Sequence, residues 1–214
     1  MCIRDRCTTV HSDNDWKYDF SPVTFNCIYG GEDYDARREQ KGWNQIGFDD
    51  SHWRPVVVQE APKGILRPQM AAPVKIMERY DIQKVTKLNA EQIASASIST
   101  KRTVDPSAFV LDMGQNLAGF PEITVRGKRG QKVTLLVAEA LTDEGACNQR
   151  QTGRQHYYEY TLKGEGDETW HPRFSYYGFR YIQVEGAVLK GQKNPQKLPV
   201  LKLSLIHISE PTRP

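Results

Sequence analysis

Arg173-Phe174-Ser175-Tyr176-Tyr177-Gly178-Phe179-Arg180-Tyr181-Ile182-Gln183-Val184-Glu185 is the stretch that decides the fold class. Read as a strand, it places Arg180, Ile182 and Val184 on one face and Phe179, Tyr181 and Gln183 on the other. Apolar groups on both faces mark a strand buried inside a sandwich. Working back along the chain, Phe109 to Asp112, Phe120 to Gly127, Gln131 to Glu139 and His156 to Leu162 read as further strands. Turns containing glycine join them, notably Gly127-Lys128-Arg129-Gly130. Short strands at this spacing predict a β-sandwich or jelly roll.

The first half carries weaker versions of the same signal. Trp16-Lys17-Tyr18, Val23 to Tyr29 and Pro55-Val56-Val57-Val58 are short strand candidates between Gly, Pro and Asp turns. Phe48-Asp49-Asp50-Ser51-His52-Trp53 reads as one turn, capped by Asp and Ser side chains and anchored by Phe48 and Trp53. Prolines at 55, 62, 68 and 73 exclude a long helix there. Nothing longer than a turn or two shows the i, i+3, i+4, i+7 apolar spacing of a core-facing helix. The expectation is a mainly β chain of two β-sandwich or jelly-roll domains, residues 7–79, the first and truncated, and residues 80–188. The ends, residues 1–6 and 203–214, have no periodic link to what they flank, resemble translated sequencing adapter, and are set aside from the fold.

A near-balanced charge of +3, from 29 Lys plus Arg against 26 Asp plus Glu, with no basic stripe, argues against nucleic acid as a partner. A 38% hydrophobic content without a long apolar run argues against a membrane-spanning helix. The four cysteines, Cys2, Cys7, Cys27 and Cys147, form no C-x-x-C pair and have no His at ligand spacing, which leaves a Cys27–Cys147 disulfide open. No phosphate loop, Ser-His-Asp set or histidine cluster stands out.

Aromatic residues bunch beside glycine and carboxylates, in Tyr29-Gly30-Gly31-Glu32-Asp33-Tyr34-Asp35-Ala36-Arg37 and again at 174–181. Flat rings next to fixed hydrogen-bonding groups suit sugars. Glu32, Asp35 and Arg37 are therefore candidates for a sugar-hydroxyl cradle, weighed against a structural ion-pair and turn network, which is favoured. Trp43 and Trp53 are candidate stacking platforms, weighed against plugging the end of a sandwich, and Trp53 is expected in the core. Gln115 and Asn116 are expected to satisfy a turn. Glu139, Asp143 and Glu144 read as a solvated hairpin end rather than a catalytic pair. Tyr157, Tyr158, Tyr160, Tyr176, Tyr177, Phe179 and Tyr181 exceed what a small core needs, so some are expected to be exposed or to face another domain.

The ordered blocks Glu32-Asp33-Tyr34-Asp35-Ala36-Arg37 with Gly42-Trp43 and Phe48-Asp49-Asp50-Ser51-His52-Trp53, then Val110-Leu111-Asp112-Met113-Gly114-Gln115-Asn116-Leu117-Ala118-Gly119 with Ala138-Glu139-Ala140-Leu141, then Pro172 to Tyr181, resemble the N-terminal and following β-domains of bacterial α-L-rhamnosidases. Ile46 stands where that family commonly has Pro. The resemblance implies that the catalytic carboxylates lie in an (α/α)6 barrel outside this chain, and that the chain is inactive alone. It also implies rhamnose-containing glycans and that barrel as partners, and a periplasmic or extracellular setting. Some members of the family bind rhamnose with calcium in a β-sandwich module through adjacent Asp and Asn. Here Ala36 follows Asp35, so the amide ligand is missing if the pair aligns at this point. An autonomous carbohydrate-binding module and an adhesion-type sandwich are the alternatives, the latter expected to bury Tyr34, Trp43 and Trp53 together.

Overall fold

A computed structural model describes residues 2–3, 6–7, 9–60, 63–65, 67–68, 70, 75–100, 103–150 and 156–210, with backbone alone at 2–3, 6–7, 97–100 and 203–210. In chain order the elements are β1 (Cys2–Ile3), β2 (Arg6–Cys7), β3 (Lys17–Tyr18), β4 (Val23–Cys27), β5 (Gly31–Asp35), a 3-10 turn at Ala36–Arg38, β6 (Arg54–Pro55), β7 (Lys75–Tyr80), β8 (Lys84–Lys87), α1 (Ala90–Thr100), β9 (Phe109–Arg126), β10 (Lys132–Ala138), β11 (Tyr157–Thr161), β12 (Asp167–Trp170), β13 (Tyr177–Glu185), β14 (Val188–Leu189) and β15 (Val200–Glu210). The chain is mainly β, as its alternation predicts.

Two compact units form, and they do not follow the order of the chain. The smaller comprises Met1–Ser21 with Gln40–Met70, and the larger Pro22–Glu39 with Ala71–Pro214. The division expected near Arg79 falls inside β7, a strand of the larger unit that pairs with β15. Residues 22–39 join the larger unit because β5 pairs in parallel with β11, Glu32 opposite Tyr158 and Tyr34 opposite Tyr160. Gly31 makes that pairing possible, since it sits at φ +95° and a Cβ there would lie 1.8 Å from the Tyr157 carbonyl oxygen.

The larger unit is built on one extended sheet in the order β14-β15-β9-β13-β10-β11-β5-β4, with β12 and β8 also pairing β9 and β7 pairing β15. The two strands expected at 109–112 and 120–127 are one, the 18-residue β9, which passes through Gly114 at φ +81°. Its first half pairs with β13 and β8, and its second half with β15 and β12. A register shift in β13 between Phe179 and Tyr181 brings Phe179 into the same core as Ile182 and Val184, which strict alternation had put on opposite faces. That core also holds Leu111, Ile123, Val133, Leu135 and Trp170. At the free edge, β4 pairs β5 with a bulge between Val23 and Phe25, an irregularity that blunts an edge against further pairing.

The helix α1 was not anticipated from apolar spacing. A reciprocal cap starts it: Asn89 Oδ1 accepts from the Gln92 amide at 2.8 Å, and Gln92 Oε1 accepts from the Asn89 amide at 3.0 Å. Ile93 and Ala96 pack with Leu88, Val104, Ala108 and Val110 on the side of the sheet away from the main core. The tail residues set aside on sequence grounds also pair: β1 with β2, and β15 along β9 and β7 as far as Glu210. Leu203-Ser204-Leu205-Ile206-His207-Ile208 has the Leu and Ile content that favours extended backbone wherever an edge is available. Residues 211–214 lie outside the described set.

Candidate functional site

Glu32 is the most deeply placed of the sequence candidates. Its side chain is fully buried, facing inward on β5 beside Tyr158. One carboxylate oxygen, Oε2, accepts from the Arg173 amide at 3.0 Å, the Phe174 amide at 3.3 Å and Asn26 Nδ2 at 3.3 Å. The other, Oε1, is buried without a hydrogen-bond partner. Glu32 therefore ties the loop before β13 to the β4–β5 hairpin, and none of its oxygens faces solvent. No sequence signal marks Arg173 and Phe174 as its partners, because the contact spans 141 residues.

Asp35 and Arg37 act on each other. Asp35 caps the turn at Ala36–Arg38, accepting from the Arg37 amide at 3.1 Å, and holds the Arg37 guanidinium in a fork, Nε to Oδ1 and Nη2 to Oδ2, both at 2.8 Å. The Arg37 hydrogen bonds hold the Asp35 carboxyl below its ordinary range, against the opposing effect of burial. Arg37 thus engages both Asp35 oxygens within the turn. Among the described residues no group of three or more His, Cys, Asp or Glu side chains is placed to hold a metal. Asp35 and Arg37 form a turn-capping ion pair, while Glu32 bonds a distant loop.

On the outer face of the same strands, Asp33 stands opposite Glu159, which Lys132 Nζ reaches at 2.6 Å. Burial, then the Glu159 charge, push the Asp33 carboxyl upward.

Trp43 and Trp53 belong to the smaller unit, apart in the chain's division from Glu32, Asp35 and Arg37. Trp43 is 62% exposed. Trp53 is half-buried rather than core: its ring packs 5.7 Å from Phe48 and its Nε1 donates to Gln40 Oε1 at 2.8 Å. Asp49 caps the intervening turn through the Ser51 amide at 2.9 Å, as the spacing predicts. Tyr34 is buried while Trp43 is exposed, so the joint burial expected of an adhesion-type sandwich does not occur.

Of the surplus aromatic rings, Tyr158, Tyr160 and Phe179 are core, and Tyr157, Tyr177 and Tyr181 are half-buried. Tyr34, Tyr160 and Trp170 stack in series, at 5.8 Å and 5.3 Å between centroids, and Tyr158 continues the column to Tyr177 at 5.8 Å. Burial and the neighbouring Glu39 carboxylate raise the Tyr34 phenol to about 12. Of the rings in the 174–181 block, Phe174 and Tyr176 are exposed, at the loop that Glu32 holds.

The Gln115-Asn116 segment lies within β9 rather than in a turn. Asn116 donates to Glu139 Oε1 at 2.8 Å, so that carboxylate serves as a strand-to-strand tie. Arg180 forks onto Asp112 at 2.8 Å and 3.1 Å and keeps its carboxyl low. Cys27 and Cys147 are both free thiols, and burial raises that of Cys147.

Residues 3–78 match the α-L-rhamnosidase N-terminal domain, and residues 102–204 match the bacterial α-L-rhamnosidase concanavalin-like domain. An α-L-rhamnosidase of Formosa agariphila is 34% identical over 187 residues, covering 84% of this chain and 18% of that protein. One from Streptomyces avermitilis is 36% identical over 182 residues, covering 83% and 16%. The solved structure of α-L-rhamnosidase from Dictyoglumus thermophilum superposes with a TM-score of 0.73 at 30% identity, over 94% of this chain and 20% of that one. The Streptomyces avermitilis α-L-rhamnosidase complexed with L-rhamnose does so with 0.72 at 32%, over 95% and 18%. The chain thus spans less than a fifth of the curated relatives it matches. Two domain matches in series, and a fold shared across nearly the whole chain, place it in the bacterial α-L-rhamnosidase family, as the N-terminal and concanavalin-like β-domains.

Proposed function

We propose that this chain is the non-catalytic β-sandwich part of a longer α-L-rhamnosidase that hydrolyses terminal α-L-rhamnosyl linkages. It scaffolds a catalytic domain that supplies the reacting carboxylates. One observation carries the reading: three of the carboxylates singled out by sequence are committed to structural bonds, Glu32 to a loop, Asp35 to Arg37 and Glu139 to Asn116. Inverting or retaining glycoside hydrolysis needs two carboxyl groups facing one sugar across about 5–9.5 Å, with at least one available as acid. The share of the relatives that the chain spans supports the same view. The test is turnover of an aryl α-L-rhamnoside by the 214-residue chain. No release above buffer is expected, and sustained release would refute the assignment.

A second reading, direct binding of rhamnose-containing glycans, is favoured by one feature, the exposed ring of Trp43. Titration calorimetry with L-rhamnose checks it. Heat that disappears in Trp43→Ala and persists in Asp35→Ala supports a stacking site, and no heat with the unaltered chain removes it.

A further inference from the structure

Two phenols of the aromatic column are each paired with a carboxylate: Tyr34 donates to Glu39 at 3.0 Å and Tyr160 to Glu168 at 2.8 Å. Tyr158 breaks the pattern. It stands beside Glu32 across the parallel β5–β11 ladder, and both side chains are fully buried. Yet the Tyr158 hydroxyl and Glu32 Oε1 each have no hydrogen-bond partner among the described residues. Ser175 Oγ is a third such atom. Ser175 is buried between the exposed Phe174 and Tyr176, on the loop whose Arg173 and Phe174 amides bind Glu32 Oε2, so it turns inward where its neighbours turn outward. Both other groups act on the Tyr158 phenol: burial raises it most, the Ser175 hydroxyl opposes that rise, and the Glu32 charge adds to it. A buried oxygen without a partner gives up its hydration for nothing, so such atoms are rare one at a time. Three of them converging beneath one loop call for a shared partner.

We propose that one internal water molecule binds between Glu32 Oε1, the Tyr158 hydroxyl and Ser175 Oγ and completes the clasp on the 173–176 loop. The bonds balance: the two hydroxyls donate to the water's lone pairs and one water hydrogen is donated to Oε1, three bonds being usual for a buried water. Water suits the site better than a cation, because two of the three groups bring protons to donate. In addition, among the described residues no group of three or more His, Cys, Asp or Glu side chains is placed to hold a metal. The Tyr158 ring lies 5.8 Å from that of Tyr177 and 6.5 Å from that of Trp170, so the water leaves only when the loop opens and is long-lived. Glu32 then holds the loop through both oxygens, directly by Oε2 and through water by Oε1. The inference concerns the larger unit alone and does not rest on the rhamnosidase reading.

Water-oxygen magnetic relaxation dispersion, which counts internal waters held longer than the protein tumbles, tests this on the 214-residue chain. Ser175→Val puts methyl groups where the hydroxyl stood and should lower the dispersion amplitude by one water. An unchanged amplitude overturns the proposal. Should circular dichroism show that this variant does not fold, Tyr158→Phe combined with Ser175→Ala leaves the water a single partner, and the same loss of one water is expected. Urea unfolding gives the second reading. Tyr158→Phe should lower the midpoint, because a hydroxyl satisfied through water is lost. A raised midpoint, the result for a hydroxyl buried without a partner, overturns the proposal. A lowered midpoint with no water lost in the Ser175 variants also overturns it, in favour of a direct Tyr158–Glu32 bond. So does a midpoint that depends on sodium against choline chloride more in the unaltered chain than in Ser175→Val, which would put a cation in the site.

Discussion

Truncating Glu32 to alanine is the most direct probe of how the larger unit is held together. The change removes the acceptor shared by the Arg173 and Phe174 amides and by Asn26. A buried donor left unsatisfied costs about 1–3 kcal/mol. Arg173 and Phe174 are themselves exposed, so water can reach their amides once the loop loosens. Removing the buried, unpaired Oε1 also recovers some of the desolvation cost. Together these set the net loss at about 2–4 kcal/mol. With a urea dependence of about 2 kcal/mol per molar, the unfolding midpoint should fall by about 1–2 M. Circular dichroism through a urea series reads it. Glu32→Gln keeps one acceptor oxygen and should lose no more than about 1 kcal/mol. An unchanged midpoint in Glu32→Ala, or equal damage from both substitutions, would refute the view that this carboxylate anchors the loop.

Two further outcomes follow from the same geometry. Gly31→Ala forces a Cβ to within 1.8 Å of the Tyr157 carbonyl at a positive φ, so the β5–β11 pairing should break, with a loss of about 3 kcal/mol or more and a thermal midpoint roughly 10 °C lower by calorimetry. Asp112, kept low chiefly by Arg180, contributes stability that is present above its unfolded value near 4 and is lost as pH falls through its lower folded value. Because the pair is partly exposed, that contribution is about 1 kcal/mol. Urea midpoints of the unaltered chain and Asp112→Asn should therefore differ at pH 7 and converge below about pH 4, whereas a constant difference would show that the carboxylate's charge is irrelevant.

What could be read before folding was what is encoded locally. Alternation marked β10, β11 and β13 to within a few residues, and Asp49 with Ser51 marked its turn, because side-chain direction in a strand and capping of a turn depend on neighbours in the chain. The ordered blocks from Glu32 to Tyr181 identified the family for the same reason. The helix α1 was missed although its signal is local too: Asn89 and Gln92 form a capping box, a cue independent of the apolar period.

The rest depended on contacts between distant segments. Whether Glu32 is surface or clasp, whether Tyr158 is surface or core, and whether residues 22–39 belong with the first or the second half of the chain are settled by the parallel pairing of β5 with β11 and by the reach of Glu32 to Arg173. Sequence alone determined that this is a β-rich chain of rhamnosidase type. Tertiary structure decided that Glu32 is a buried clasp on a distant loop, because the environment of a side chain is set by whatever the fold brings against it.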